Sequence, residues 1–266
     1  MFIEERHRHI LSLIREKGRV EVAELSKAFQ ISEDSARRDL RLMEEKGLVK
    51  RTYGEAILPN KVGEFSRFQE REGILPSAKA ALAKAAASLI HKGDTIMLDA
   101  SSTIAGILPW LERVPGLTII TNSVTIAYDT MNTLHQSNLF IIGGVVDPDR
   151  ANTTSIESLK SVQNITVDKA FIAPCSISSE LELWSTTFDE AELKKAMINA
   201  GREVIILASS SKFGQRSLAK VGSLQSGYLL ITDGDIGGET RLKLKERIGN
   251  GLIIVPEGDT DNGLGA

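Results

Sequence analysis

Two registers of apolar spacing divide the chain. In the first part apolar residues recur every three or four positions: Ile3, His7, Ile10, Leu13 and Ile14 share one helical face, and Gly18 ends that helix. Val22, Leu25, Ala28 and Phe29 mark a second, shorter helix stopped by Gln30 and Ile31. Ser32 suits the N-cap of a third helix running to about Lys46, with Gly47 as its terminator. Leu48 to Arg51 and Glu55 to Leu58 then predict two short strands about Thr52, Tyr53 and Gly54, a hairpin turn composition. Beyond Pro76, which opens an alanine-rich helix to about Ile90, the register changes. Continuous apolar runs recur at Thr95–Leu98, Leu117–Ile120, Leu139–Ile142, Ala170–Ala173, Val204–Leu207, Tyr228–Ile231 and Leu252–Val255. None alternates as a half-solvated strand would, and each is separated from the next by room for a helix. The pattern predicts an α/β fold, a parallel sheet covered on both faces.

This gives a small helical domain with a hairpin at 1–58, a linker at 59–75, a larger α/β domain at 76–256 and a frayed, polar tail at 257–266. Charge separates the two domains as well. Residues 1–58 hold 12 basic and 11 acidic side chains, which leaves 20 and 24 of the chain's 32 and 35 for the remainder. The larger domain is therefore acidic and a poor binder of polyanions, so contact with nucleic acid has to come from local basic clusters in the small one. Met1 leads straight into the charged stretch Glu4 to Arg8, and no apolar run approaches the roughly 18 residues of a spanning helix, so neither signal peptide nor membrane segment is expected. The single Cys175 cannot pair within the chain, in keeping with a cytoplasmic protein, and is expected to be a small buried side chain. Four scattered histidines and that cysteine give no metal-ligand spacing; no metal and no cofactor are expected.

The third predicted helix carries the clearest chemistry. With Ala36 at zero, Leu40 falls at about 40° and Met43 at about 340°, a buried stripe, while Arg37, Arg41 and Arg38 fall at about 100°, 140° and 200° and face outward together. One account of that face is a solvated surface. The other is a recognition helix, because guanidinium forks match both phosphate oxygens and the guanine edge in the major groove, with Lys50 and Arg51 of the hairpin touching the adjoining backbone. Asp34, on the same face, either reads a cytosine amino group or pairs with a neighbouring Arg.

In an open α/β sheet, ligands bind beyond the carboxyl ends of the strands. The residues there are Asp99-Ala-Ser-Ser-Thr103, Thr121-Asn122-Ser123, Gly143-Gly144, Pro174-Cys175-Ser176, Ser209-Ser-Ser-Lys212 and Thr232-Asp233. Any one of these loops reads equally as an N-cap or turn. Together they make a set suited to holding a phosphate through hydroxyls and backbone N–H groups, with Ser101 to Thr103 opening a helix through Leu108 as the best cradle.

The stretch Arg6 to Leu58, with Arg6-His-Arg-His-Ile-Leu11, Ser32-Glu-Asp-Ser-Ala-Arg-Arg-Asp-Leu40 and Gly47-Leu-Val-Lys-Arg51, resembles the winged helix-turn-helix of the DeoR family of bacterial transcriptional regulators. The resemblance implies that the helix from Ser32 enters the major groove and that the hairpin acts as a wing. It makes Ser32, Ser35, Arg37, Arg38, Arg41, Lys50 and Arg51 the candidate DNA contacts. The wing departs from the family's His-Gly-Gly, having Tyr53-Gly54-Glu55. The resemblance extends to about Gly234, implying a sensor domain similar to ribose-5-phosphate isomerase that binds a phosphorylated sugar or related metabolite. The family's Asp-x-Gly-Thr-Thr loop is matched by Asp99 to Thr103, its Thr-Asn by Thr121-Asn122, its Gly-Gly by Gly143-Gly144, its Glu-x-x-x-Lys by Glu190 to Lys194, and its Asp-x-Ser-Lys-Phe-Gly by Ser209 to Gly214. Ser101, Ser155 and Ser209 stand where the family has glycine, glycine and aspartate, and Ser178 to Trp184 lacks the family's glycines.

Candidate effector contacts are thus Asp99, Ser101, Ser102, Thr103, Asn122, Ser123, Lys194 and Lys212. Each has a plainer reading: Asp99 holding its loop, Lys194 as a solvated helix residue, Thr187 and Glu190 as a capping box, Trp110 and Trp184 as packing. The implied function is a repressor of a carbohydrate-metabolism operon, a homo-oligomer (dimer or tetramer) on a double-stranded operator, released or retained by its effector. Two rivals stand beside it, a sugar-phosphate isomerase carrying a DNA module and an effector-independent DNA-binding protein. The loss of an aspartate at Ser209 speaks against catalysis.

Overall fold

The computed structural model describes residues 3–17, 19–45, 48–52, 55–57, 68, 71, 74 and 76–256. These fall into two compact units that divide within the region 61–77. Gly18, Gly47, the Tyr53-Gly54 turn, the Lys50 side chain, the tail 257–266 and the expected linker other than Phe68, Arg71 and Ile74 lie outside the described residues.

The first unit runs α1 (Ile3–Lys17), β1 (Arg19–Glu21), α2 (Val22–Phe29), α3 (Glu33–Glu45), β2 (Lys50–Thr52) and β3 (Glu55–Ile57). Ile10, Ile14, Leu25, Ala36, Leu40 and Met43 are shut away from solvent and pack as one core, so the stripe placed by helical periodicity is the inner face of α3. The turn between α2 and α3 passes through Gln30 in the left-handed region at φ 53°, its N–H bonded to the Ser26 carbonyl. Ser32 then caps α3 by accepting the Ser35 N–H at 3.2 Å.

Two sequence expectations need correction in this unit. The hairpin is a three-stranded sheet in the order β1-β3-β2, with Val20 opposite Ala56; the three residues of β1 are too few to show a period. The first hairpin strand begins at Lys50 and not Leu48, because the Leu48 N–H is spent on the Met43 carbonyl (2.8 Å), closing off the end of α3.

The second unit contains α4 (Pro76–Ala87), β4 (Thr95–Leu98), α5 (Ser102–Ala105), β5 (Thr118–Thr121), α6 (Val124–Thr133), β6 (Asn138–Ile141), β7 (Val146–Asp147), β8 (Asn152–Thr153), α7 (Ile156–Gln163), β9 (Val167–Ile172), β10 (Ser176–Ile177), β11 (Glu182–Ser185), α8 (Phe188–Ala200), β12 (Gly201–Leu207), β13 (Ala219–Ser223), β14 (Leu229–Asp233), α9 (Gly238–Ile248) and β15 (Leu252–Val255). All seven apolar runs of the sequence lie in one parallel sheet, ordered β15-β14-β12-β9-β4-β5-β6. One core packs α4, α5 and α6 on one face, and a second packs α7, α8 and α9 on the other. Continuous apolar runs are what a sheet buried on both sides requires.

The alanine-rich helix stops at Ala87, short of Ile90, as Leu89 and Ile90 bond back only three residues and tighten into a turn. The helix expected from Ser101 to Leu108 is two pieces, α5 and a 3-10 turn at Leu108–Trp110. The runs also missed two small accessory sheets, β7-β8 and β10-β11-β13. Among the described residues no helix is long and apolar enough to cross a membrane.

Numbered along the chain within the large sheet, the strand order is 3-2-1-4-5-6-7, so the direction of winding reverses between β4 and β9. That reversal opens a crevice at the carboxyl ends of the two strands.

Candidate functional site

On the first unit, the outward face of α3 carries Arg37, Arg38 and Arg41, all exposed, and Ser35, half-buried. Arg37 is held by Glu33 at 2.8 Å and Asp34 at 3.4 Å, so Asp34 pairs with its neighbour in the free protein. Exposed pairs of this kind are worth only about 0.2–1 kcal/mol and yield readily to phosphate. Ser32 and Ser35 share a hydroxyl contact of 3.0 Å at the start of the helix. Arg51, half-buried, ties the wing to α3: its backbone N–H donates to Glu44 at 2.9 Å and its guanidinium lies 3.8 Å from the same carboxylate.

One residue of the Arg-Arg-Asp-Leu stretch does something the sequence reading did not assign. Asp39 is buried, accepts two bonds from the Arg6 guanidinium (2.6 and 3.1 Å) and lies 3.4 Å from Nε2 of the buried His7. The Asp39 hydrogen bond outweighs burial and raises the Arg6 pKa above its ordinary value. Both partners belong to α1, so this carboxylate fastens α3 to α1. The signal was present: on the same wheel Asp39 falls at about 300°, about 40° from Met43 and 60° from Ala36, where an acid needs a partner.

On the second unit, Asp99 leaves β4 at the winding reversal. It is buried, donates its N–H to the Phe171 carbonyl of β9, and accepts the Ala173 N–H at 3.0 Å. Its Oδ2 also accepts a very short bond from Lys194 Nζ, which donates further to the Ala173 carbonyl (3.1 Å) and lies 3.4 Å from Glu190. Burial alone would lower the Lys194 pKa; the Asp99 and Glu190 carboxylates overcome it and hold it above its ordinary value. Lys194 is thus not the solvated residue of the plainer reading. It shares a stripe of α8 with Ala191, Met197 and Ile198, all buried.

Around this pair the remaining candidates take up defined positions. Thr187 caps α8 by accepting the Glu190 N–H, while the Glu190 carboxylate accepts the Thr186 hydroxyl at 3.3 Å and faces the Cys175 thiol at 4.0 Å. Burial and Glu190 push that thiol up, which leaves it a poor nucleophile; it is half-buried and not fully enclosed as expected. Ser101, buried, caps α5. Ser102 accepts from Lys79 of α4 at 3.0 Å, and Thr103 is half-buried. Asn122 is buried with both ends of its amide in use, accepting from Ala100 N–H (3.2 Å) and donating to the Thr153 carbonyl (3.1 Å). Ser123 caps α6.

Lys212 lies half-buried in the turn Ser210–Lys212, on the Cys175 side. Asp233 accepts the Ser210 N–H at 2.8 Å. The structure therefore brings Asp99 and Lys194 together directly and lashes Asn122 to the Asp99–Thr103 loop, while Lys212, at the next strand end, acts on the same Cys175 thiol as Glu190 and Lys194. Trp184 packs beneath the Arg216 guanidinium, and Trp110 beneath Lys79's helix neighbour Lys84, so both also make cation–π contacts.

One contributor was not visible in the sequence, and one glycine of the Gly143-Gly144 pair that the sequence did offer finds its reason. Arg150, beside the Asp147 carboxylate (3.0 Å), reaches the Thr186 hydroxyl at 3.4 Å and so carries a guanidinium to the rim beside Glu190. Gly144 has φ +139°, and a Cβ there would lie 2.4 Å from Ser158 Oγ and 2.5 Å from Ser155 Oγ. Gly144, and not Gly143, is the glycine that the close passage of these hydroxyls at the start of α7 requires.

Residues 6–62 match the family model described as a DeoR-like helix-turn-helix domain, and residues 76–234 match the DeoR C terminal sensor domain. The chain is similar to the HTH-type transcriptional repressor GlcR of Bacillus subtilis, at 32% identity over 233 residues covering 88% of this chain and 89% of that one. It is similar to the HTH-type transcriptional regulator GolR of Listeria innocua, at 30% over 236 residues covering 89% and 92%. The glycerol-3-phosphate regulon repressor of Escherichia coli is 25% identical over 229 residues, covering 86% and 90%. A ribose 5-phosphate isomerase A from Methanocaldococcus jannaschii overlaps 51% of this chain and 53% of its own at 19% identity and TM-score 0.37, too distant to bear on the chemistry. With both family models matched and relatives of 30% identity or more aligned over most of its length, the chain belongs to the DeoR family of transcriptional regulators.

Proposed function

We propose that the chain is a transcriptional repressor of a carbohydrate-metabolism operon, working in the cytoplasm, which binds a double-stranded operator through α3 and the wing and a phosphorylated metabolite in the crevice of the second unit. The observation that carries the reading is the outward arginine face of α3, set opposite a fully buried stripe and fastened from behind by Asp39. Ser32, Ser35, Arg37, Arg38, Arg41, Lys50 and Arg51 are the proposed DNA contacts. Asp99, Ser101, Ser102, Thr103, Asn122, Ser123, Lys194 and Lys212 are the proposed effector residues. Effector binding shifts how the subunits of a dimer or tetramer present their winged helices, so that they no longer match the half-site spacing. The name of the glycerol-3-phosphate regulon repressor supports a small phosphorylated ligand.

We read the crevice as non-catalytic. Abstraction of a proton beside a carbonyl needs an available carboxylate, and here Asp99 is held by Lys194 and a backbone N–H, Asp233 by the Ser210 and Asp235 N–H groups, and Ser209 replaces the family's acid.

Footprinting the DNA upstream of the protein's neighbouring genes tests the regulator. Protection of paired half-sites is expected, and absence of any preferred sequence in low salt overturns it. Arg38→Ala or Arg41→Ala should cost about 1 to 3 kcal/mol of operator affinity where the residue reads a base. A thermal-shift screen against phosphosugars tests the effector, since a ligand at about 100 times its dissociation constant adds about 2.7 kcal/mol. Turnover of any of them would favour the enzyme.

A further inference from the structure

The parallel sheet ends at β6, and nothing described pairs with its outer edge. Most of this strand is solvent-exposed, including Phe140 and Ile141. The stretch from Asn138 through Val146 reads Asn-Leu-Phe-Ile-Ile-Gly-Gly-Val-Val, with no charge and no proline among its nine residues. Soluble proteins blunt free edges with exactly those residue types, or cover them, because an open row of N–H and C=O groups templates another strand.

The helix beside this edge has a matching surface. On α6, Val124, Tyr128 and Met131 follow the i, i+4, i+7 spacing of one ridge and are exposed, whereas the opposite side of the helix packs inward through Ile126 and Ala127. The Val124 N–H donates to the Ala151 carbonyl and the Thr154 N–H to the Val145 carbonyl, so the turn carrying Val145 and Val146, and Ile156 at the start of α7, adjoin the same border.

These eight apolar residues are between 38% and 70% exposed. At about 100 Å² apiece they come to roughly 800 Å², the area each partner supplies to a stable interface of standard size, and above the few hundred Å² that monomers ordinarily leave bare.

We infer that the border formed by β6, the α6 ridge and the Val145–Val146 turn is the interface through which this chain binds a second copy of itself. A two-fold contact sets the same patch against itself, and an uncharged apolar patch is complementary to its own image, with no charge to desolvate and no like charges to oppose. The one charged side chain of α6, Asp129, lies about 140° around the helix from Val124, off the ridge. DNA and phosphorylated ligands would need cations that this border lacks. The inference extends the proposed regulator by naming the surface that joins its subunits, and it stands or falls separately from DNA recognition.

Sedimentation velocity of the full chain tests it. The wild type should sediment as a dimer or larger. Tyr128→Ser together with Ile141→Ser should raise the dissociation constant by about tenfold or more, with the thermal melt of the second unit little changed, because both residues are more than half exposed. Leu242→Ser, an equally exposed position on α9, is the control and should leave association intact. Binding to DNA carrying one half-site should survive the double substitution, while the gain on adding a second half-site is lost. A monomeric wild type, which would hand this border to a different protein, overturns the inference, and so does a double variant that associates as tightly as the wild type. Loss of single half-site binding in the wild type would instead count against the DNA-reading assignment alone.

Discussion

Replacing Lys194 by Met takes one cation from a site where two carboxylates face it. The Glu190 contact at 3.4 Å corresponds to about 5 kcal/mol of Coulomb attraction at an effective dielectric of about 20, and the shorter Asp99 contact to somewhat more, before desolvation is deducted. Met fills nearly the same volume, so no cavity term is added. What remains is two buried carboxylates without a counter-charge, a defect that costs about 3 to 5 kcal/mol. In a unit of this size that lowers the melting temperature by about 10 °C. Trp110 and Trp184 both lie in the second unit, so tryptophan fluorescence follows its unfolding without interference from the first.

The pH dependence follows from the sign of the shift. Lys194 has a raised pKa in the folded chain, so its stabilisation is fully present below the unfolded value of about 10.4 and is lost only as pH rises through the folded one. The wild type is therefore flat in this contribution across the neutral range. Combining Lys194→Met with Asp99→Asn should cost less than the two changes separately, with a coupling of about 1 to 3 kcal/mol. A deficit under about 1 kcal/mol, or strict additivity of the two changes, refutes the reasoning.

Asp94→Asn probes the other end of the sheet: burial alone would raise the Asp94 pKa, but the Lys169 ammonium at 2.7 Å and the His91 N–H overcome it and hold the carboxyl below its usual range. That stabilisation is present above about pH 3.9 and lost as pH falls through the lowered value, so the Asn variant should melt with a flatter acid limb, and an unchanged limb would remove the pair from the account. Asp39→Ala leaves Arg6 without its partner and should destabilise the first unit by about 3 kcal/mol, seen as faster hydrogen exchange in α1 and α3 but not in the large sheet; uniform exchange rates would show the anchor to be idle. Gly144→Ala forces a Cβ into two serine hydroxyls at a left-handed φ and should cost about 1 to 3 kcal/mol in a thermal melt, against no change if the turn simply relaxes.

The large sheet was legible because its strands are buried on both faces and so appear as unbroken apolar runs. Strand β11 (Glu-Leu-Trp-Ser), in contrast, has one face toward solvent and four residues in which to show it, and the two residues of β7 cannot show a period at all. The accessory sheets escaped for that reason. At the crevice, residue types placed the right loops at the carboxyl ends of the strands. They could not distinguish a cap from a contact: Ser101 and Ser123 both cap helices, which any serine before a helix is suited to do. Lys194 was the least readable, since its neighbour Lys195 is exposed and only the buried stripe of α8 separates the two. Arg150 was invisible because its partner, Thr186, lies 36 residues away.

The recognition helix keeps its duties on separate sides. Asp39, Leu40 and Met43 face inward and secure the fold, while Arg38 and Arg41 point outward and bear no part of the core. On the proposed assignment of the outer face to DNA, exchanging those residues alone would change target preference without touching the fold, which would make the small unit a scaffold for new operator specificities.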